Sequence, residues 1–130
     1  MFDLVDRVED YPGFLPWCAG TRLIERTEAL TVGRIDIDFK GVKSHIVTRN
    51  AKERPRRMTL ELLEGPFQDF RGEWTFSPLG ESGCRVELAV EYAFSNPVLE
   101  LALGGLFGHI TGTLVDRFVE RANESAGDEP

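Results

Sequence analysis

From Gly33 to Phe94 the apolar positions of the chain recur every second residue. Gly33, Ile35, Ile37 and Phe39 alternate with Arg34, Asp36, Asp38 and Lys40. Met58, Leu60 and Leu62 alternate with Thr59 and Glu61, and Phe70, Trp74 and Phe76 share a side opposite Asp69, Arg71, Glu73 and Thr75. The longest run sets Val86, Leu88, Val90, Tyr92 and Phe94 against Arg85, Glu87, Ala89, Glu91 and Ala93. Successive side chains on a strand point to opposite faces, so this pattern predicts strands with one buried and one wet face, paired antiparallel. Turn residues separate the runs at Lys40-Gly41, Arg54-Pro55, Gly65-Pro66 and Gly80–Gly83. About six strands between Gly20 and Phe94 follow, at the spacing of a meander.

At both ends the period becomes helical. Leu4, Val5 and Val8 predict a short amphipathic helix from Phe2. It stops at Asp10-Tyr11-Pro12-Gly13-Phe14-Leu15-Pro16-Trp17-Cys18, where two prolines and a glycine exclude a regular helix or strand. A rigid corner presenting Phe14, Leu15 and Trp17 together is expected. After Phe94, Asn96 suits a helix cap and Pro97 a first turn. Leu99, Ala102, Leu103, Leu106, Phe107, Ile110, Leu114 and Phe118 then keep i, i+3/i+4 spacing to about Ala122. Such a helix is roughly 39 Å long at 1.5 Å per residue. Gly104, Gly105, Gly108 and Gly112 interrupt it, and they either permit a bend or let the backbone approach the sheet or a ligand closely. Residues 123–130 form a polar, frayed tail.

One helix covering six twisted strands requires the sheet to curl around it. The fold class is therefore α+β. Phe39, Phe70, Trp74, Phe76, Tyr92, Phe94 and Phe107 point inward, and the space between helix and sheet is either a dry core or an apolar cavity.

Composition narrows this picture. A chain of 130 residues is read as one domain, 1–122, followed by the tail. No window holds 18 unbroken apolar residues, and no basic, apolar leader opens the chain. Cys18 and Cys84 have no metal or disulfide spacing and are read as reduced thiols, which places the protein in the cytoplasm. The net charge of −7 argues against DNA and against sequence-wide nucleic-acid binding. It is unevenly placed. Lys40, Lys43, Arg49, Lys52, Arg54, Arg56 and Arg57 face the single acid Glu53, so this segment carries +6 and the remainder −13. The segment is either solvated loop charge or a basic patch for RNA or for an anionic membrane at the inner-membrane surface.

No catalytic set emerges, and no metal site or cofactor is expected. His45 and His109 read as surface imidazoles, and Asp36 and Asp38 lie on the wet face, which excludes them as an acid/base pair. Tyr92 and Trp74 each bring a polar atom to the apolar face, for which a backbone group or a ligand carbonyl is a partner.

Tyr11-Pro12-x-Phe14-Leu15-Pro16-Trp17-Cys18, Thr48-Arg49-Asn50, Gly65-Pro66-Phe67, Gly72-x-Trp74-x-Phe76 and Val115-x-x-Phe118-Val119-x-Arg121-Ala122 carry a family likeness. From Phe2 to Ala122 the chain resembles the START-like, polyketide-cyclase-like (helix-grip, SRPBCC) superfamily. Within it, the likeness is to the branch of the coenzyme Q-binding proteins and the RatA ribosome-association toxins. The resemblance implies a helix-grip fold. It also implies a strand before the first helix, which is not seen ahead of Phe2. Either the start lies at an internal Met or the strand is lacking, which would leave the edge along Val86–Phe94 open to a homodimer.

Two functions are implied. The first is a carrier or chaperone of ubiquinone, or of another long apolar lipid, in respiration. Its tunnel would be lined by Phe14, Trp17, Phe39, Phe70, Trp74, Phe76, Leu88, Tyr92, Leu103, Phe107, Ile110 and Leu114. The alternative is a toxin that blocks ribosomal subunit association through the basic segment.

Overall fold

The structure, a computed structural model, describes residues 1–80 and 83–127. The expected meander is present. Strands β1 (Cys18–Arg26), β2 (Leu30–Phe39), β3 (Val42–Glu53), β4 (Arg57–Glu64), β5 (Phe67–Leu79) and β6 (Gly83–Phe94) form one antiparallel sheet in sequence order. The alternation read from the sequence sets the register. Ile35 pairs with Ile46, Trp74 with Leu88 and Phe76 with Val86, which stacks apolar side chains across neighbouring strands on the inner face. Between β2 and β3 the chain turns on Lys40 and Gly41, with φ of 52° and 82°. Two positive φ values in a two-residue loop match the right-handed twist of the flanking strands, and glycine carries the larger of them without a steric cost. Of the turn expected at Gly80–Gly83, Glu81 and Ser82 lie outside the described residues.

Helix α1 (Phe2–Asp6) leads into a 3-10 turn, Val8–Gly13, that contains Pro12. This is the rigid corner. Leu15 and Trp17 are buried by it, and the Tyr11 hydroxyl donates to the Val5 carbonyl. The Asp38 amide donates to the Trp17 carbonyl at 3.0 Å, which fixes the corner against β2.

Helix α2 (Pro97–Gly127) lies across the concave face of the sheet. The Leu99 amide donates to Asn96 Oδ1 at 2.9 Å, the cap that the sequence predicts. Leu103, Leu106, Phe107, Ile110 and Phe118 are buried against the sheet, whereas Ala102 faces solvent. The helix runs five residues past Ala122 into the expected tail, with Arg121 and Glu124 3.7 Å apart one turn from each other. Asp128–Pro130 lie outside the described residues. Over Pro97–Glu124 the helix is long and apolar enough by composition to cross a membrane. In this fold that apolarity is explained in part by the face it lays on the sheet.

The close-approach reading of the glycines is not what the structure shows. A Cβ added at Gly104, Gly105, Gly108 or Gly112 would meet nothing within 4 Å. Among the described residues β6 pairs with β5 alone, so it forms one edge of the sheet and β1 forms the other.

Candidate functional site

Under α2 the curled sheet leaves a cavity of about 90 Å³. Its floor is built by inward positions of β2, β3, β4, β5 and β6, among them Ile35, Ile37, Ile46, Leu60, Phe70, Trp74 and Leu88. Its roof is Phe107, Ile110, Thr111, Leu114 and Phe118 of α2, and Val8, Tyr11 and Trp17 of the corner close one side.

Seven of the twelve residues expected to line a tunnel do line this cavity: Trp17, Phe70, Trp74, Leu88, Phe107, Ile110 and Leu114. Five do not, and each has another task. Phe14 lies outside, edge-on to Phe118 at 5.2 Å and to Tyr11 at 6.1 Å. Phe39 stacks on the His109 ring at 5.2 Å, which also makes His109 more than a free surface imidazole. Phe76 packs against Phe2 at 5.5 Å and alongside Trp74 at 6.0 Å. Tyr92 joins Phe67, Phe94 and Phe107 in an aromatic cluster, and Leu103 is buried in the packed core.

The physical reason is volume. Phe107 is backed by Phe67, Tyr92 and Phe94, and Phe118 by Phe14 and Tyr11, so aromatic rings take up space that a tunnel would need. A small cavity remains where a long one was expected.

Polar residues of the wall escaped the sequence reading. Thr48 and Asn50 alternate inward on β3 with Arg49 outward, and both are buried. The signal was present in Thr48-Arg49-Asn50, but strand alternation there carries polar side chains on the inner face, so an apolar count passes over it. Asn50 Oδ1 and Trp17 Nε1 have no hydrogen-bonding partner among the described residues. A buried polar atom left so costs about 1–3 kcal/mol.

The basic segment does not form one patch. β3 has 12 residues and so spans roughly 40 Å, which puts Lys40 and Lys43 at the opposite end from Arg54, Arg56 and Arg57. Lys52 is an inward residue. Its ammonium is 3.1 Å from Asp6 Oδ2, and the two side chains are 1% and 4% exposed. Arg54 reaches Asp3 and, at 3.2 Å, Asp6. Arg57 pairs with Glu53 and Glu73, and Arg49 lies 3.6 Å from Glu61. Lys40, Lys43 and Arg56 have no carboxylate within ion-pair distance among the described residues.

Around Asp6 these pairs make a clamp. Thr31 Oγ1 donates to Asp6 Oδ1 at 2.6 Å, and Arg26 bonds both carboxylate oxygens of Glu9. The Arg26 hydrogen bonds hold the Glu9 carboxyl down to about 2. Burial pushes the Tyr11 hydroxyl far above its ordinary value and the Cys18 thiol up to about 11.

Comparison with known proteins places this fold. The family described as polyketide cyclase / dehydrase and lipid transport matches residues 1–119. The ribosome association toxin RatA of Vibrio cholerae is 38% identical over 128 residues, covering 98% of this chain and 89% of the toxin. A mitochondrial coenzyme Q-binding protein of Xenopus laevis is 23% identical over 132 residues, covering 98% of this chain but 54% of that protein. Among solved structures, a protein from Thermus thermophilus superposes with a TM-score of 0.78 at 23% identity, covering 98% of this chain and 89% of that one.

Proposed function

The chain belongs to the polyketide cyclase / dehydrase and lipid transport family, and on that premise we propose that it acts as a ribosome-association factor of the RatA kind. In this reading it binds a ribosomal subunit and hinders subunit joining without catalysing a reaction. The observation that carries it is the near full-length similarity to the Vibrio cholerae toxin, which is higher in identity and in mutual coverage than that to the coenzyme Q-binding protein. Cavity size points the same way. Sites for drug-sized ligands usually measure about 300–1,000 Å³, and a cavity of about 90 Å³ does not hold an isoprenoid quinone.

The exposed cations supply the RNA contact in this proposal. Arg56 and Arg57 stand at the β3–β4 turn, and Lys40 and Lys43 at the other end of β3, by its turn with β2. Phosphate contacts of this type weaken steeply with salt. The surrounding acidic surface limits binding to those places and disfavours long nucleic acid generally.

Carriage of a long lipid is the second reading, supported by the family's lipid-transport description and the Xenopus laevis relative. It requires α2 to move away from the sheet. One pair of measurements separates the two. Purified protein is added to dissociated subunits and the joined fraction is followed on sucrose gradients, while organic extracts of the protein are read by mass spectrometry. The proposal expects a dose-dependent loss of joined ribosomes and no stoichiometric quinone. Unchanged joining together with a stoichiometric quinone or lipid overturns it.

A further inference from the structure

The two edges of the sheet are built differently. β1 breaks register between Cys18 and Gly20 and between Leu23 and Glu25, and its far end is tied down by Arg26, which bonds Glu9 and the Asp6 carbonyl. Irregularities of this kind turn an edge away from a second chain. β6 has no such protection. It contains neither proline nor lysine, and its register with β5 is unbroken from Ala93 back to Gly83. Among the described residues no strand pairs with its outer side, which leaves a long run of backbone N–H and C=O groups as a template. Its inward row is also incompletely covered. Val86, Leu88, Val90, Tyr92 and Phe94 are half-buried, whereas Trp74 and Phe76, opposite Leu88 and Val86, are 3% and 4% exposed.

We propose that this edge binds a second copy of the chain, β6 against β6, antiparallel about a twofold axis at Leu88. The charges of the outer face select that partner and that register. With the axis at Leu88, Arg85 of each copy stands opposite Glu91 of the other, Glu87 stands opposite Ala89, and Val86 meets Val90 on the inner face. Glu91 has no cation within ion-pair distance among the described residues, and Arg85 has only its strand neighbour Glu87 at 2.9 Å. An axis at Glu87 or at Ala89 brings glutamates face to face. An axis at Val86 shortens the paired run to Gly83–Ala89, and one at Val90 keeps no pair of opposite charges. Pairing at Leu88 also keeps both inner faces on one side, so the half-buried apolar row of one copy continues into that of the other. This interface goes beyond the proposed ribosomal role and does not depend on it, since its test contains no ribosome.

Sedimentation velocity over a concentration series is expected to show a monomer–dimer equilibrium. Arg85→Glu, which sets glutamate opposite glutamate at both ends of the pairing, is expected to raise the dimer Kd about tenfold. The register is read by oxidising a mixture of Glu87→Cys and Ala89→Cys proteins, both in a Cys84→Ser background. A disulfide is expected in the mixture and not in either protein alone, since positions 87 and 89 face each other and neither faces itself. A monomer at every concentration overturns the proposal. If the β6 amides of that monomer also resist hydrogen exchange, another segment of the chain covers the edge. Equal crosslinking in the separate proteins, or a dimer unmoved by Arg85→Glu, overturns it as well. Where Arg85→Glu fails to fold, sedimentation of the unaltered protein and the crosslinking decide.

Discussion

Lys52 Nζ sits 3.1 Å from Asp6 Oδ2 with both side chains almost wholly buried, which joins β3 to α1 across 46 residues of sequence. This pair turns a residue of the basic segment into part of the core. It also gives α1 a polar anchor beside its apolar contact through Phe2 and Phe76.

Removing one partner of a buried ion pair leaves an uncompensated charge. Lys52→Met takes away one of the three cations around Asp6, leaving Arg54 at 3.2 Å and Arg26 at 3.6 Å, and is therefore expected to cost less than the about 3–5 kcal/mol of an orphaned buried charge, seen as a lower urea midpoint. Adding Asp6→Leu to it should cost less than the sum of the two single changes, because the two sites are coupled. Additive losses would show that the pair contributes nothing as a pair.

Glu9 gives a pH dependence of definite sign. Its folded value of about 2 lies below the ordinary 4.5, so its contribution is complete above about pH 4.5 and is lost as the pH falls from there toward 2. Glu9→Gln is expected to lower Tm at pH 7 and to flatten the acid limb in that window. Parallel Tm curves for the two proteins below pH 4.5 would contradict this.

The two thiols should react very differently. Cys84 is exposed, whereas Cys18 is buried with its thiol held up to about 11 by that burial. A thiol reagent at pH 8 is expected to label one equivalent quickly, and Cys84→Ser should remove that phase. Fast labelling of Cys18 in the native protein would mean that the Pro/Gly corner opens readily.

The glycines of α2 test the idea that they serve close packing. Because a Cβ at Gly104 or Gly108 meets nothing within 4 Å, each change to Ala is expected to stabilise the helix by up to about 1 kcal/mol. Denaturant midpoints are the check. Destabilisation by either change would restore a packing role.

Charge reversal at the β3–β4 turn separates binding from folding. Arg56 has no ion-pair partner among the described residues, so Arg56→Glu should weaken binding to ribosomal subunits at unchanged Tm. Arg54→Glu instead places a carboxylate against Asp3 and Asp6 and should lower Tm. A ribosome assay of Arg54, Arg56 and Arg57 reversed together would mix the two effects.

Much of the fold was legible because its signals are local. Alternation at Ile35/Ile37 and Val86–Phe94, the Asn96-Pro97 cap and the Lys40-Gly41 turn each depend on a few neighbouring residues, and each appears as expected. The site was half legible. Alternation tells which side of a strand faces inward, so Phe70, Trp74 and Leu88 were found. It does not tell how far along the helix the space ends, so Phe39, Phe76 and Tyr92 were assigned to a tunnel that the aromatic clusters fill. Lys52 and Asn50 were read by residue type, although they occupy inward positions of the same strand as Ile46.

By itself the sequence determined six antiparallel strands, a long covering helix and a corner between α1 and β1, since period, capping and turn chemistry act over a few residues. Only the tertiary structure decided how large the cavity is, that Lys52 is core and not surface, and that the basic segment is split between two ends of β3. Those outcomes rest on the contact of residues far apart in the chain: Asp6 with Lys52, Phe118 with Tyr11 and Phe67 with Phe107. Packing volume and ion pairing act across that distance, and no short window of the sequence contains both partners.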